Sequence, residues 1–246
     1  MTDRTGDTVD GASTPVAGIS LPEGPVLALD TAMSLGSVAV GRSGRLLAEA
    51  TLGVTIRHSE SLLPAIRFVL ERARIAPADL QAIVVGAGPG SFTGVRIAGA
   101  TAKGMVHGLG IPLFAYSSLA TLAAGAGVTD RPVCALIDAH RDEVFAAAYA
   151  FPREGGIEEI LAPSVIDVDQ LAERLAGESP VWVGEAALRF RDRLRRGGEV
   201  GAEPLAVPRA ASLLWLAARA PATGRVENPA AWVPDYVRAP GVTPPA

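Results

Sequence analysis

The stretch Gly86-Ala87-Gly88-Pro89-Gly90-Ser91-Phe92-Thr93-Gly94 is the part of this sequence around which the rest is organised. It follows an apolar run over 82–85 and leads into a helical run from Val95 to Leu109. Glycines let backbone N–H groups approach a ligand closely, and the start of a helix adds partial positive charge. A strand, a glycine-rich turn and a helix start in this order therefore indicate an anion-binding loop.

The residues before the loop predict three strands and a helix. Val26 to Leu29 form a short apolar run that ends at Asp30-Thr31, which is typical of a buried strand. Tight turns connect it to predicted strands over 37–40 and 45–52, so the three strands form an antiparallel meander. The segment Arg57 to Arg74 has one apolar face at helical spacing, with Phe68 off that face.

The helix after the loop is apolar over most of its circumference. Its strongly polar residues Arg96, Lys103 and His107 fall within a stripe roughly 40° wide at 100° per residue. Gly94, Ala98 and Ala102 recur at four-residue spacing, and small residues let another helix approach closely. Such a helix must be covered on more than one side. Either a second protein chain supplies part of that cover, or the monomer supplies all of it.

The second half of the sequence repeats the pattern of the first. A strand over 111–115 and a helix over 117–126, capped by Ser117, come first. Ile137-Asp138-Ala139 then repeats Leu29-Asp30-Thr31 about 110 residues later, which indicates two duplicated α/β domains. The further predictions are strands over 144–150, 157–166 and 181–183, helices over 167–176, 189–196 and 210–220, and loops over 221–229 and 240–246. We predict domains over 25–116 and 117–240, with tails over 1–24 and 241–246.

Composition limits the class of protein. The chain has 246 residues, 49% of them hydrophobic, and a net charge of -4, so its overall charge does not recruit nucleic acid or an acidic membrane. The lone Cys134 excludes an internal disulfide and fits a reducing compartment. No apolar run reaches the roughly 18–20 residues of a membrane span. We therefore predict a cytoplasmic protein with a disordered tail over residues 1–24.

Two aspartates and the glycine loop are the candidates for nucleotide binding. Asp30 and Asp138 each follow a buried strand, where a carboxylate can hold a metal–nucleotide or can instead cap the turn. The loop lacks the lysine of a P-loop, has Ser91 where a dinucleotide motif needs its third glycine, and contains Pro89, which has no N–H. Helix capping and tight packing are the alternative roles. The candidate nucleotide-binding residues are Asp30, Gly88, Gly90, Ser91, Thr93 and Asp138.

The sequence offers no catalytic set and no metal site. Its three histidines, His58, His107 and His140, form no H-x-x-x-H pair on one helix face. With a single cysteine and no Ser–His pairing visible in the sequence, nucleophilic catalysis has no better support. We therefore predict neither catalytic residues nor a metal.

Several of these motifs together resemble one known family. Leu29-Asp30-Thr31-Ala32, Arg57-His58-Ser59-Glu60 and the run from Gly88 to Ile97 are similar to the bacterial TsaB (YeaZ) family of tRNA threonylcarbamoyladenosine biosynthesis proteins. The similarity extends through Ile137-Asp138-Ala139 to the run 234–238, over nearly all of residues 25–238. It implies the actin-like ATPase (ASKHA, RNase H-like) fold.

The resemblance also implies a function. Members of this family bind the catalytic paralogue TsaD, are joined by TsaE, and support threonylcarbamoylation of adenosine 37 in tRNAs that read codons starting with A. Ser118 and Leu122 fill the positions of the two metal-binding histidines of TsaD, so the resemblance implies a non-catalytic subunit. ATP or ADP at the interface with TsaD is the one cofactor implied, and tRNA binds only through the complex.

The partner surface implied by the resemblance lies on the helices 57–74 and 93–109, which also form a homodimer when the protein is alone. The predicted partner-binding residues are Phe68, Arg96, Ala98, Ala102, Lys103, Met105 and His107. The alternative hypothesis is a stand-alone nucleotide-dependent phosphotransferase of the same fold that uses Asp30 and Asp138.

Overall fold

The structure is a computed structural model that describes residues 20–53, 58–235 and 237, without the side chains of residues 58 and 59. Of the predicted tails, residues 1–19 and 241–246 lie outside the described residues. Within the described ranges the chain forms two five-stranded sheets with helices packed on their faces.

The first half contains the predicted meander, the glycine loop and the two long helices. Strands β1, β2 and β3 pair antiparallel, while β4 and β5 extend the sheet in parallel, so the order is β3-β2-β1-β4-β5. Its elements are β1 (Pro25–Asp30), β2 (Gly36–Arg42), β3 (Arg45–Leu52), α1 (His58–Ala73), β4 (Ala82–Gly86), α2 (Phe92–Leu109), β5 (Leu113–Tyr116) and α3 (Ser118–Ala124).

The second half repeats this topology. Strands β6, β7 and β8 pair antiparallel and β9 and β10 follow in parallel, in the order β8-β7-β6-β9-β10. Its elements are β6 (Val133–Asp138), β7 (Glu143–Ala150), β8 (Glu158–Asp167), α4 (Val168–Leu175), β9 (Val181–Val183), α5 (Glu185–Arg189), α6 (Arg191–Leu194), β10 (Glu199–Val200), α7 (Ala210–Arg219) and α8 (Pro221–Gly224). The predicted duplicated, actin-like α/β fold is therefore confirmed.

Several short elements differ from the prediction. The helix predicted over 189–196 is two short helices, α5 and α6, which meet at Phe190, and β10 was not predicted. Residues 221–229 were expected to be a loop, but α8 occupies their first four positions. Pro221 stands at the first helical position, where its fixed φ suits a helix and its missing N–H costs nothing.

One helix of each half, α3 in the first and α7 in the second, packs on the sheet of the other half. Helix α3 packs on β6 and β7, whereas α7 packs on β1 and β2, and the two helices contact each other. One apolar core consequently includes residues of both sheets and both helices, such as Ala28, Leu122, Ala135 and Leu213. The domain boundary predicted between residues 116 and 117 falls between β5 and α3, but the first sheet takes part of its cover from beyond that boundary.

Helices α1 and α2 cover the opposite face of the first sheet. Most of the predicted apolar face of α1 is buried there, through Leu62, Ile66 and Val69, but Leu63, which was expected on that face, is 61% exposed. Helix α2 contributes Ala98 and Ala102. In the second half, α4 and α6 cover the corresponding face with Leu171, Leu175 and Leu194. Among the helices in the described ranges, none has the length and apolar character needed to cross a membrane.

Candidate functional site

Asp30 lies at the carboxyl end of β1 and is only 1% exposed. Its Oδ1 accepts a hydrogen bond from the Ala32 N–H (2.8 Å), and its Oδ2 accepts one from the Ser118 hydroxyl (2.9 Å). Burial raises the pKa of this carboxyl to about 6, although both hydrogen bonds act in the opposite direction. The side chain is therefore enclosed by the protein and does not project into solvent at the end of the strand.

Ser118 connects this carboxylate to the glycine loop. Its hydroxyl also accepts a hydrogen bond from the Gly88 N–H (3.2 Å), and its own N–H donates to the Gly88 carbonyl (2.7 Å). Ser118 and Leu122 are both fully buried in the core. By the resemblance described above, they fill the positions of the metal-binding histidines of TsaD. A search of the described residues finds no group of His, Cys, Asp and Glu side chains that could hold a metal ion.

The glycine loop packs directly on the chain that follows β1. The Ser91 N–H donates to the Ala32 carbonyl (2.6 Å), and the Thr31 hydroxyl donates to the Gly94 carbonyl (2.6 Å). A Cβ at Gly90 would lie 2.2 Å from the Ala32 carbonyl oxygen, and one at Gly94 would lie 1.9 Å from that of Thr31. These glycines are needed because backbone approaches backbone here.

Many of the loop's N–H groups already have acceptors within the chain. Ala87 donates to the Tyr116 carbonyl and Val95 to the Ser91 carbonyl, while the Ser91 hydroxyl caps α2 by accepting from the Gly94 N–H. These bonds favour the helix-capping alternative over a phosphate cradle. Nucleotide contact at Gly88, Gly90, Ser91 and Thr93 stays a prediction.

Asp138 occupies the equivalent place at the end of β6. Its Oδ1 accepts from the His140 N–H (2.8 Å), the same two-residue turn that Asp30 makes with Ala32. Its Oδ2 pairs with the guanidinium of Arg189 on α5. Asp138 thus caps its turn, the alternative considered from the sequence, and in the described structure it shares no hydrogen-bonding side chain with Asp30.

Glu185 belongs to the second half of the chain, which we call the second lobe, but lies close to the first half, the first lobe. The sequence did not indicate this contact. Glu185 begins α5, directly after Gly184, the counterpart of the glycine loop in the second half. Its carboxylate lies close enough to Ser34, in the turn between β1 and β2, for that side chain to lower its pKa. Burial, and next the negative charge of Asp138, raise its pKa. The two lobes are therefore joined across the carboxyl ends of their central strands.

A cavity of about 450 Å³ adjoins the glycine loop at the edge of β5. Its walls include Ala87, Glu227, Asn228 and Asp235, and burial raises the pKa of the Asp235 carboxyl. The wall also includes Arg225, whose guanidinium lies 5.5 Å from the centre of the Phe114 ring. Two carboxylates with one stacked arginine do not favour a nucleotide phosphate in this cavity.

The structure changes the expected partner-binding face of α2. Ala98 and Ala102 are completely buried against the first sheet, so in this arrangement they contact the chain's own core and cannot contact a partner. Another set of small residues at four-residue spacing faces outward: Ala100, Gly104 and Gly108 are exposed. A Cβ at Gly104 or Gly108 would meet nothing within 4 Å. The helix has two such stripes, and the sequence pattern singled out the inner one.

The other predicted partner-binding residues divide into two groups. Lys103 has an internal role, because its Nζ donates to the carbonyls of Ala230 (2.8 Å) and Trp232 (3.0 Å), and Met105 packs half-buried against the core. Three residues lie on the surface: Phe68 is 51% exposed, His107 is exposed, and the Arg96 guanidinium lies 3.7 Å from the centre of the Phe92 ring.

Comparison with known proteins places this geometry in a family. The family model for "TsaD: tRNA N6-adenosine threonylcarbamoyltransferase" matches residues 53–186. The "tRNA threonylcarbamoyladenosine biosynthesis protein TsaB" of Bacillus subtilis (strain 168) is 32% identical, over 87% of this chain and 93% of its own length. The chain belongs to the TsaB family. The TsaB of Escherichia coli (strain K12) is 35% identical over 64% of this chain and 69% of its own.

A solved structure agrees with this TsaB membership. The crystallised "YeaZ from Pseudomonas aeruginosa" is 32% identical to this chain and superimposes with a TM-score of 0.75. The match covers 87% of this chain and 99% of the other. The TsaB likeness therefore includes both lobes and not only the glycine loop.

Proposed function

We propose that this chain is a non-catalytic scaffold subunit in tRNA threonylcarbamoyladenosine biosynthesis, which binds TsaD together with TsaE and supports modification of adenosine 37. Membership of the TsaB family assigns it a role in that biosynthesis. The observation that carries the scaffold role is the enclosure of Asp30 by Ser118 and by the turn at Ala32. A carboxylate held this way inside the core is not placed to bind a metal–nucleotide.

The second carboxylate that follows a buried strand, Asp138, supports the same conclusion from the other half of the chain. Asp138 caps its own turn and pairs with Arg189, so its charge is already compensated within the chain. A serine and a leucine, at 118 and 122, also lack the imidazole nitrogens that bind zinc or iron. In this proposal the chemistry, and most contacts to any ATP or ADP at the interface, belong to TsaD, and tRNA is bound through the complex in the cytoplasm.

The proposed TsaD-binding surface is the outer face of α1 and α2. Phe68 and Leu63 of α1 are 51% and 61% exposed, and Phe92 at the start of α2 is 40% exposed. Because Ala100, Gly104 and Gly108 have little or no side chain on the outer side of α2, a partner helix can approach its backbone closely. In the absence of TsaD, we propose that a second copy of the chain occupies this surface and forms a homodimer.

Gly104→Trp tests the surface without disturbing the monomer. A Cβ at this exposed position meets nothing within 4 Å, and replacing glycine inside a helix does not lower helix propensity. We expect binding to TsaD, measured by size-exclusion chromatography with light scattering and by calorimetry, to weaken by at least about tenfold, or 1.4 kcal/mol. Gly177→Trp, at an equally open glycine on the second lobe, is the matched control and should bind normally. Unchanged binding by Gly104→Trp would remove α2 from the interface.

A turnover assay separates the scaffold from a stand-alone phosphotransferase. We expect the purified chain alone to hydrolyse no ATP, and turnover to appear only when TsaD and TsaE are added. Robust turnover by the chain alone, lowered by Asp30→Ala, would refute the scaffold role.

A further inference from the structure

The second lobe carries a cluster of arginines that the proposed scaffold role does not use. We call it the arginine ridge and define it as Arg141, Arg189, Arg193 and Arg196. Arg189 is on α5, Arg193 and Arg196 belong to α6 and the turn after it, and Arg141 is in the turn between β6 and β7. The sequence predicted a basic helical run over 189–196; the structure adds a cation from a second element.

Ion pairs with two aspartates hold one residue of the ridge, Arg193, in place. Arg193 donates through Nε and Nη2 to the two carboxylate oxygens of Asp169 (2.7 and 2.6 Å), and through Nη1 to Asp142 (3.1 Å). This pairing raises the pKa of Arg193 and lowers that of Asp169. Exposed ion pairs contribute little stability, but the two-pronged geometry fixes the direction of the side chain.

The turn that carries Arg141 is fixed in the same way. His140 and Arg141 both have positive φ angles, 72° and 60°, a conformation that is uncommon outside glycine. Asp138 holds the turn through the His140 N–H, and Arg189 joins it to α5 by pairing with Asp138 and donating to the Arg141 carbonyl (3.3 Å). The surrounding contacts therefore maintain an unfavourable backbone that presents Arg141.

Two guanidinium groups of the ridge are left to face outward. Arg141 and Arg196 are exposed, and no ion pair of either is found among the described residues. They flank the fixed Arg193, because Arg141 adjoins Asp142, and Arg196 is close enough to Asp169 to help lower its pKa. The nearby aspartates each have a cation: Asp138 pairs with Arg189, Asp142 and Asp169 pair with Arg193, and Asp192 of α6 pairs with Arg195.

We infer that the arginine ridge binds the phosphodiester backbone of tRNA within the assembled complex. The planar fork of a guanidinium matches the oxygens of a phosphate, and the exposed guanidinium groups of Arg141 and Arg196 are not taken up by the carboxylates that Arg189 and Arg193 engage. Because the chain as a whole has a net charge of -4, such contact is local and adds to binding by the partner subunits. This inference rests on the proposed function and gives the second lobe a task of its own.

The test measures how tRNA binding depends on salt. Each lysine or arginine that contacts a phosphate adds about 1 to the slope of log affinity against log salt concentration. We expect Arg141→Gln/Arg196→Gln, in the complex with TsaD and TsaE, to lower that slope by about 2 for every tRNA tested. Arg42→Gln/Arg45→Gln also removes two exposed arginines, at the amino end of β1 in the other lobe, and should leave the slope unchanged.

Other outcomes would overturn the inference. An unchanged slope in an intact complex would show that the ridge does not contact tRNA, and loss of complex assembly by the double glutamine variant would show that it contacts a protein. If the wild-type chain fails to bind TsaD at all, the proposed function fails instead. The slope is then measured for the chain alone at low salt, where absence of tRNA binding, or no difference between wild type and variant, refutes the ridge separately.

Discussion

Asp30 and Asp138 end equivalent strands and make the same turn, yet their surroundings differ. Asp30 accepts a hydrogen bond from the buried Ser118 hydroxyl, whereas Asp138 forms an ion pair with the guanidinium of Arg189 at a partly exposed site. Burial without a cation raises the pKa of Asp30 to about 6. Because the residue type and the local turn are identical, the neighbours alone decide how each carboxylate behaves.

Asp30 should make stability depend on pH. Its pKa is about 6 in the folded protein against 3.8 ordinarily, so between these values the folded chain holds a proton that the unfolded chain has released. The stabilisation is therefore fully present below about pH 4 and is lost as the pH rises through about 6. We expect the free energy of unfolding of the wild type, measured relative to Asp30→Asn, to fall by about 2–3 kcal/mol between those limits.

The comparison with Asp30→Asn isolates this one carboxyl. Other acidic groups titrate in both proteins and cancel in the difference, and the Asn side chain can still accept from the Ala32 N–H. Urea unfolding of both proteins at several pH values supplies the measurement. Parallel pH profiles would mean that Asp30 ionises normally in the folded state.

At the scale of elements, α2 shows how one helix serves two neighbours. Its inner stripe of Gly94, Ala98 and Ala102 lies against the first sheet and its preceding turn, and its outer stripe lies on the surface. The flank between them holds the C-terminal segment, since Gly99 leaves room for the ring of Trp232, 3.2 Å from where a Cβ would lie. Helix α2 therefore organises the core, the surface and the chain end.

Lys103, the chain's single lysine, should hold that segment in place. Its ammonium group donates to two carbonyls, those of Ala230 and Trp232, which no other side chain in the described part of the structure bonds. Lys103→Met keeps the apolar stem and removes both hydrogen bonds. We expect faster hydrogen–deuterium exchange over residues 226–235, equivalent to about 1–2 kcal/mol of lost local stability.

The matched control is Arg174→Met, which removes an exposed cation from α4. Exchange over 226–235 should be unaffected in that variant. If exchange were also unaffected in Lys103→Met, the anchoring role would be excluded and Lys103 would again be a candidate for the partner surface.

At the scale of the whole molecule, each half covers the other's sheet with one of its helices, α3 from the first and α7 from the second. Helix α7 lies near the end of the chain but covers β1 and β2 of the first lobe, where the Leu214 side chain lies against Gly41. The Ser37 hydroxyl accepts from the Ala210 N–H (2.7 Å), and Glu49 pairs with Arg209. Each lobe is thus completed by a segment outside its own continuous stretch.

This arrangement predicts that the first lobe does not fold alone. A fragment of residues 20–116 lacks Leu213, Leu214 and Leu216, whose burial stabilises by about 1.5–3 kcal/mol each. Their sum is comparable to the whole stability of a typical domain, about 5–15 kcal/mol. We expect no cooperative thermal transition for the fragment by circular dichroism, and one such transition for the full chain.

Co-expression with residues 117–237 provides the control, because it restores α7 in trans and should recover a cooperative transition. A fragment 20–116 that unfolds cooperatively by itself would show that α7 is dispensable and that the boundary predicted at residue 116 marks an independent domain.

The sequence by itself determined the longer elements, their order and the duplication, but not the short elements α5, β10 and α8. The longer elements follow from local signals: the apolar run before Asp30, its repeat before Asp138, and the serine and aspartate caps of α2, α3 and α4. Periodicity also located the buried face of α1. Such signals involve residues within a few positions of each other, so they can be interpreted without the fold.

Only the tertiary structure decided how the candidate site is used. The Ser118 hydroxyl donates to Asp30 across 88 positions of sequence, and the second half brings Glu185 close to Ser34 of the first. Periodicity gives the angle between two small-residue stripes on α2, but not which one faces the sheet, since both are apolar. Those outcomes depend on which surfaces the topology brings together, and hydrogen bonds between distant residues leave no periodic trace in the sequence.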